Sequence, residues 1–97
     1  MKIENFKNKY KTLLGKFGFT TDGIFVKYDY NPDRYVYLVF KREKDNATLK
    51  IWKDLQTKST QADLKIESDE YRNWKHISIK KLINILEEIE KTGKIPL

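Results

Sequence analysis

Hydrophobic and polar positions repeat along this chain with two different periods. At the start, Ile3, Phe6, Tyr10, Leu13, Leu14 and Phe17 recur every three or four residues, while Lys2, Lys7, Lys9, Lys11 and Lys16 fall mostly off that stripe. This is the period of an amphipathic helix, and Gly15 is placed to cap it. Phe17–Thr21 reads as a short edge strand, and Asp22-Gly23 as a two-residue hairpin turn. From Ile24 to Tyr30 the period changes to two. Ile24, Val26, Tyr28 and Tyr30 make one face of a strand, and Phe25, Lys27 and Asp29 the other.

Asn31-Pro32-Asp33 then turns the chain. The longest apolar run follows, Arg34 to Arg42, and it is expected to be the central strand of an antiparallel sheet. Val36, Leu38 and Phe40 point to one side, and Tyr35, Tyr37 and Val39 to the other. Asp45-Asn46 makes a further turn. Ala47–Lys53 is a third strand, with Leu49 and Ile51 inward and Thr48, Lys50 and Trp52 outward. Residues 54–61 read as a polar loop and Ala62–Glu67 as a last strand.

Ser68-Asp69-Glu70 has the composition of a helical N-terminus, with Tyr71 and Trp74 as anchors for a short helical turn. Ser78 caps a C-terminal helix carrying Ile79, Leu82, Ile83, Leu86 and Ile89, which Gly93 and Pro96 bring to an end. The fold class expected is therefore α+β over one domain, residues 1–97. It has an N-terminal helix, an antiparallel meander of three to five strands, and a C-terminal helix. Both helices pack on the face of Val36, Leu38 and Phe40.

Composition narrows the function. The 97 residues are 39% hydrophobic, 35% charged and 13% aromatic, with a formal charge of +6. An aromatic-rich chain of this kind folds, and its positive excess favours polyanions or acidic protein surfaces. Residues 1–16 alone carry five Lys against Glu4, a net of +4. With no cysteine, disulfides, thiolate metal sites and a cysteine nucleophile are excluded. The first residues lack the apolar core of a signal peptide, and no run approaches a membrane span. The expectation is a cytoplasmic protein without membrane contact.

Two features carry candidate chemistry. The outward sheet face is expected to gather Phe25, Lys27, Tyr35, Tyr37, Lys41, Lys50 and Trp52. Rings interleaved with lysines suit a nucleic acid strand, because bases stack on rings while ammonium groups hold phosphates. Cross-strand aromatic pairs also stabilise sheets with no ligand at all, and Trp74 or a second subunit could instead cover this face. The second feature is the start of the last helix. There Lys75, Lys80 and Lys81 crowd the positive end of the dipole, and Glu87, Glu88 and Glu90 lie toward its negative end. Both placements oppose the macrodipole, and free amide groups with lysines could hold a phosphate.

The order helix, three strands, helix, with lysines opening the last helix, resembles the double-stranded-RNA-binding domain. Asn31-Pro32-Asp33-Arg34 is similar to that family's loop between its first two strands, and Ser78-Ile79-Lys80-Lys81 to the basic start of its last helix. The resemblance implies a loop entering a minor groove and lysines meeting phosphates across the major groove. The sequence departs from the family in the long interval from Asp54 to Ile77, where the family has a short turn. It departs again in the last helix, where Leu, Ile and Asn stand in place of small alanines.

The leading functional reading is a small basic non-enzymatic protein that binds DNA or RNA, without cofactor or metal. An alternative is a protein encoded by a phage or mobile element that blocks a host protein stoichiometrically, in the manner of anti-CRISPR inhibitors, by docking on an acidic surface. Its outward face could also serve as a homodimer contact. A remote alternative is a Mg²⁺-dependent nuclease. Pro32-Asp33 followed by Asp63-Leu64-Lys65 looks like the PD-(D/E)xK arrangement, with Glu4 as an added ligand. The spacing Asp29-x-Asn31-x-Asp33 fails as a calcium loop, because Arg34 and Phe40 occupy the positions that need Gly and Glu. A single histidine, His76, excludes a histidine metal cluster.

Overall fold

The computed structural model describes residues 3–66 and 74–96. Helix α1 (Ile3–Gly15) is followed by strands β1 (Val26–Lys27), β2 (Tyr35–Arg42), β3 (Ala47–Asp54), β4 (Thr60–Ile66) and β5 (Lys75–Ile77), then helix α2 (Ile79–Thr92). The strands form one antiparallel sheet in sequence order. The fold is α+β, as the two periods of the sequence require.

Both helices lie on the side of β2 that carries Val36, Leu38 and Phe40. From α1, Phe6, Tyr10 and Leu14 enter the core, and from α2 Leu82, Ile85, Leu86 and Ile89. They meet Leu38, Phe40, Leu49 and Ile51, none of which retains any exposure. Each such side chain removed from water contributes about 1.5–3 kcal/mol. On α2 the buried stripe runs through Ile85, and Ile83 is exposed. Burial also pushes the Tyr10 phenol above its ordinary range, with a hydrogen bond to the Thr60 side chain opposing the shift.

The helix ends follow the sequence closely. Ser78 Oγ accepts from Lys81 N at 3.0 Å, and left-handed Gly93 donates its N–H to Ile89 O. At the end of α1, however, the left-handed residue is Gly18 (φ +87°), three positions past Gly15. A Cβ at Gly18 would lie in ordinary contact with the Arg42 side chain, and it is the positive φ that favours glycine there.

Arg42 ties the far end of the molecule together. Buried in β2, it donates from Nε to Phe17 O (2.8 Å), from Nη2 to Gly93 O (3.1 Å) and from Nη1 to Asp45 (2.6 Å). The other carboxylate oxygen of Asp45 accepts from Ile95 N at 3.1 Å. One ion pair thus holds the exits of both helices against the turn between β2 and β3. At the opposite end Lys53 is also buried. Its ammonium donates to Lys58 O at 2.9 Å and stands 5.5 Å from the Phe6 ring centre.

Three expectations change. Asp22-Gly23 is not a hairpin turn. Thr20 bridges Lys41, and Val26 pairs with Tyr37, so the segments on both sides of Gly23 run along the same edge of β2. The register shifts by two residues between them, which makes Asp22-Gly23 a bulge in one interrupted edge strand. Asp22 Oδ1 accepts from Ile24 N and Thr21 Oγ1 from Gly23 N, and these bonds close the bulge locally. Second, β4 begins at Thr60, so the loop after β3 is shorter than expected. Third, Lys75–Ile77 is a strand. The short helical turn expected from Ser68 to Tyr71 lies outside the described residues. Set beside the double-stranded-RNA-binding resemblance, β4 and β5 occupy much of the long interval and enlarge the sheet to five strands.

Candidate nucleic-acid interface

With both helices on one side, the other side of the sheet has no covering layer among the described residues. Its occupants follow from the register. Directly paired residues in an antiparallel ladder share a face. Tyr37 pairs with Val26 and Trp52, Val39 with Lys50, Lys41 with Thr48, Lys50 with Asp63, and Asp63 with His76.

Tyr35, Tyr37, Lys41, Lys50 and Trp52 therefore lie where the alternation put them. Phe25 and Lys27 do not. Lys27 pairs with Val36 on the helix-bearing side, and Phe25 packs on the core with its ring 6.2 Å from that of Phe6. The alternation of Ile24–Tyr30 was read with its two faces exchanged. The inward face has Phe25 as its one apolar residue, and Ile24 and Val26 stay exposed on the other. A Phe in the core and tyrosines in water is the cheaper choice, because a phenol keeps its hydroxyl solvated.

The exchange enlarges the aromatic surface. Tyr28 stands 5.4 Å from Tyr30, 6.1 Å from Tyr35 and 5.4 Å from Trp52, the last two edge-on. Tyr37 and Trp52 are 4.4 Å apart. Tyr30, at the tip, is 87% exposed. Beyond this cluster Trp74, also exposed, approaches from the β5 side. Lys50 Nζ sits 4.9 Å from the Tyr37 ring and 4.4 Å from the Trp74 ring, and Lys65 Nζ is 5.0 Å from Trp74. Two ammonium groups thus converge on one indole, an arrangement that cation–π attraction favours.

Within this basic surface lies the carboxylate of Asp63, mid-face. Asp63 Oδ2 accepts from Trp52 Nε1 at 2.9 Å, and Oδ1 meets His76 Nδ1 at 3.0 Å. A carboxylate only accepts, so the pair fixes the His76 tautomer with its proton on Nδ1.

Arg34 borders the strip, 5.1 Å from the Tyr35 ring. Its guanidinium is held by Asp54 through Nε and Nη2 at 3.0–3.2 Å. Arg34 beside it holds the Asp54 carboxyl well below the usual carboxylate range; burial opposes this, and the N–H groups of Gln56 and Thr57 add smaller lowering effects. This pair braces the loops at one end of the sheet.

The lysines expected at the last helix are divided. Lys75 belongs to β5, paired with Leu64 on the helix-bearing side. Lys80 and Lys81 are exposed in the first turn of α2, which contains no acidic residue. None of the three shares the aromatic face. The nuclease constellation is not assembled either. Asp33 lies in the loop before β2, while Asp63 is in β4 with both oxygens engaged. Among the described residues, no three His, Asp or Glu side chains are grouped to hold a metal ion.

Sequence reasoning misses Tyr28, Tyr30 and Lys65 as members of this face, and offers Trp74 only as its cover. For the tyrosines the signal was present in the alternation but of undecided sign. Trp74 was assigned to a helical turn, and Lys65 enters only once β4 is registered against β3. Searches against family models, curated proteins and solved structures found no match to this chain.

Proposed function

We propose that the open sheet face binds single-stranded nucleic acid. The observation that carries this reading is the interleaving of rings with lysines: exposed Tyr28 and Tyr30 beside half-buried Trp52 at one end, and exposed Trp74 between Lys50 and Lys65 at the other. Rings offer stacking surface to any base at about 1–3 kcal/mol each, and the ammonium groups supply the phosphate attraction. Five strands at about 4.8 Å spacing give a strip about 19 Å across, which suits about four nucleotides, the lower end of known single-strand sites. Lys41 adds to the positive field on the same face. Lys27, Lys75, Lys80 and Lys81 contribute to it at long range from the other side.

The test is fluorescence anisotropy with labelled single- and double-stranded DNA and RNA at about 50 and about 200 mM salt. Binding to single strands at low salt, weakening steeply as salt rises, is the expected result. Trp74→Ala should weaken it by at least about fivefold, the low end of a lost stacking partner, and Lys50→Ala should weaken it and lower its salt dependence by about one phosphate contact. Absence of binding to all four polymers at low salt overturns the proposal and leaves the face to a protein partner.

A further inference from the structure

The Asp63 carboxylate is out of place on a surface that attracts phosphates. It repels the backbone of the ligand proposed above, yet two neighbours position it. Trp52 donates to Oδ2 and His76 Nδ1 to Oδ1, at 2.9 and 3.0 Å. Its side chain remains 25% exposed, and it lies mid-face, between Lys50 of β3 and His76 of β5. An ionised carboxylate offers about four acceptor positions over its two oxygens. With one taken on each oxygen, each retains another.

We infer that Asp63 is a specificity-determining residue that selects guanine among the bases stacked on this face. This inference rests on the single-strand reading of the face. An acceptor-only pair of oxygens complements an edge that presents two adjacent donors. Guanine does so with N1–H and its 2-amino group. Cytosine and adenine set a ring-nitrogen acceptor beside their amino group, and thymine or uracil flanks one N–H with two carbonyls. A base stacked against Trp74 or Trp52 brings its edge to the carboxylate, while Lys50 and Lys65 balance the charge nearby. His76 and Trp52 act as positioning residues, holding the carboxylate in one orientation before a base arrives.

The experiment compares a thymidylate strand of about eight nucleotides with the same strand carrying one central guanine, both against the intact protein and against Asp63→Asn. Asn keeps a carbonyl oxygen for Trp52 but replaces one acceptor by a donor. The guanine strand is expected to bind the intact protein about tenfold more tightly, the effect of one good paired contact to a base edge, and Asp63→Asn should remove that preference while still binding thymidylate. Equal binding of both strands by the intact protein overturns the role of Asp63 and leaves the single-strand reading standing. So does a guanine preference that survives in Asp63→Asn. If neither strand binds, the reading of the face itself falls, and this inference with it. The comparison of strands on the intact protein does not depend on the variant folding.

Discussion

Asp54 shows how far one residue can organise its surroundings. It closes β3, accepts from Arg34 and from the Gln56 and Thr57 amides, and has its carboxyl held far below the ordinary value, chiefly by Arg34. A carboxyl depressed in the folded state stabilises above the unfolded value, about pH 4, and that contribution is lost as pH falls through the folded value. The protein should therefore lose stability progressively below about pH 4. Asp54→Asn should be less stable at neutral pH and should show a flatter decline in acid. Urea unfolding across pH checks both, and an unchanged acid slope in the variant would refute the assignment. Phe40, fully buried between both helices and the sheet, gives a plainer expectation. Phe40→Ala should cost about 3–5 kcal/mol, read from the same urea midpoints at unchanged slope.

At the scale of elements, the Arg42 knot does what local signals cannot. It joins the exit of α1, the exit of α2 and the turn after β2 through one guanidinium. Removing Arg42 leaves one Asp45 oxygen and the Phe17 and Gly93 carbonyls without their donor, while Ile95 N keeps its bond to the other Asp45 oxygen. Arg42→Ala should cost about 3–5 kcal/mol, and hydrogen exchange should rise first at the last turns of α1 and α2 rather than in β3. Uniform acceleration across the sheet would count against the knot as a local brace. The β1 edge follows the same logic. The bulge at Asp22-Gly23 separates the Thr20 bridge from the Val26 and Lys27 pairs. Beyond it, Phe25 faces α1 and Tyr28 faces outward.

For the whole molecule, placing both helices on one face of a five-stranded sheet determines what the other face can do. That face carries rings and lysines together, so a second copy laid over it would bring two faces of the same positive sign into one interface, each with Lys41, Lys50 and Lys65. Like charges brought together at an interface oppose self-association. Light scattering at low salt is expected to return the monomer mass of 11.7 kDa. A dimer that Trp74→Ala dissolves would instead make this face a self-contact. No helix among the described residues is long and apolar enough to cross a membrane.

The α+β class, the bounds of both helices to within a few residues, the inward set Val36, Leu38 and Phe40, and the capping of α2 by Ser78 and Gly93 are all legible in the residue pattern. These are local matters. A period of 3.6 or 2, or a cap three residues from its amide, is complete within a few neighbours. Tyr35, Tyr37, Lys41, Lys50 and Trp52 were legible for the same reason, since one firmly apolar side of β2 and β3 fixes the other. Which face of Ile24–Tyr30 is buried emerges only in three dimensions, because both carry apolar residues and the choice depends on what α1 presents. Only the folded chain revealed β5, three residues whose strand character comes from pairing with β4 and not from their composition. And only it brought Trp52, Asp63 and His76 together. They come from three strands, and the register that joins them is set by hydrogen bonds between segments distant in the chain.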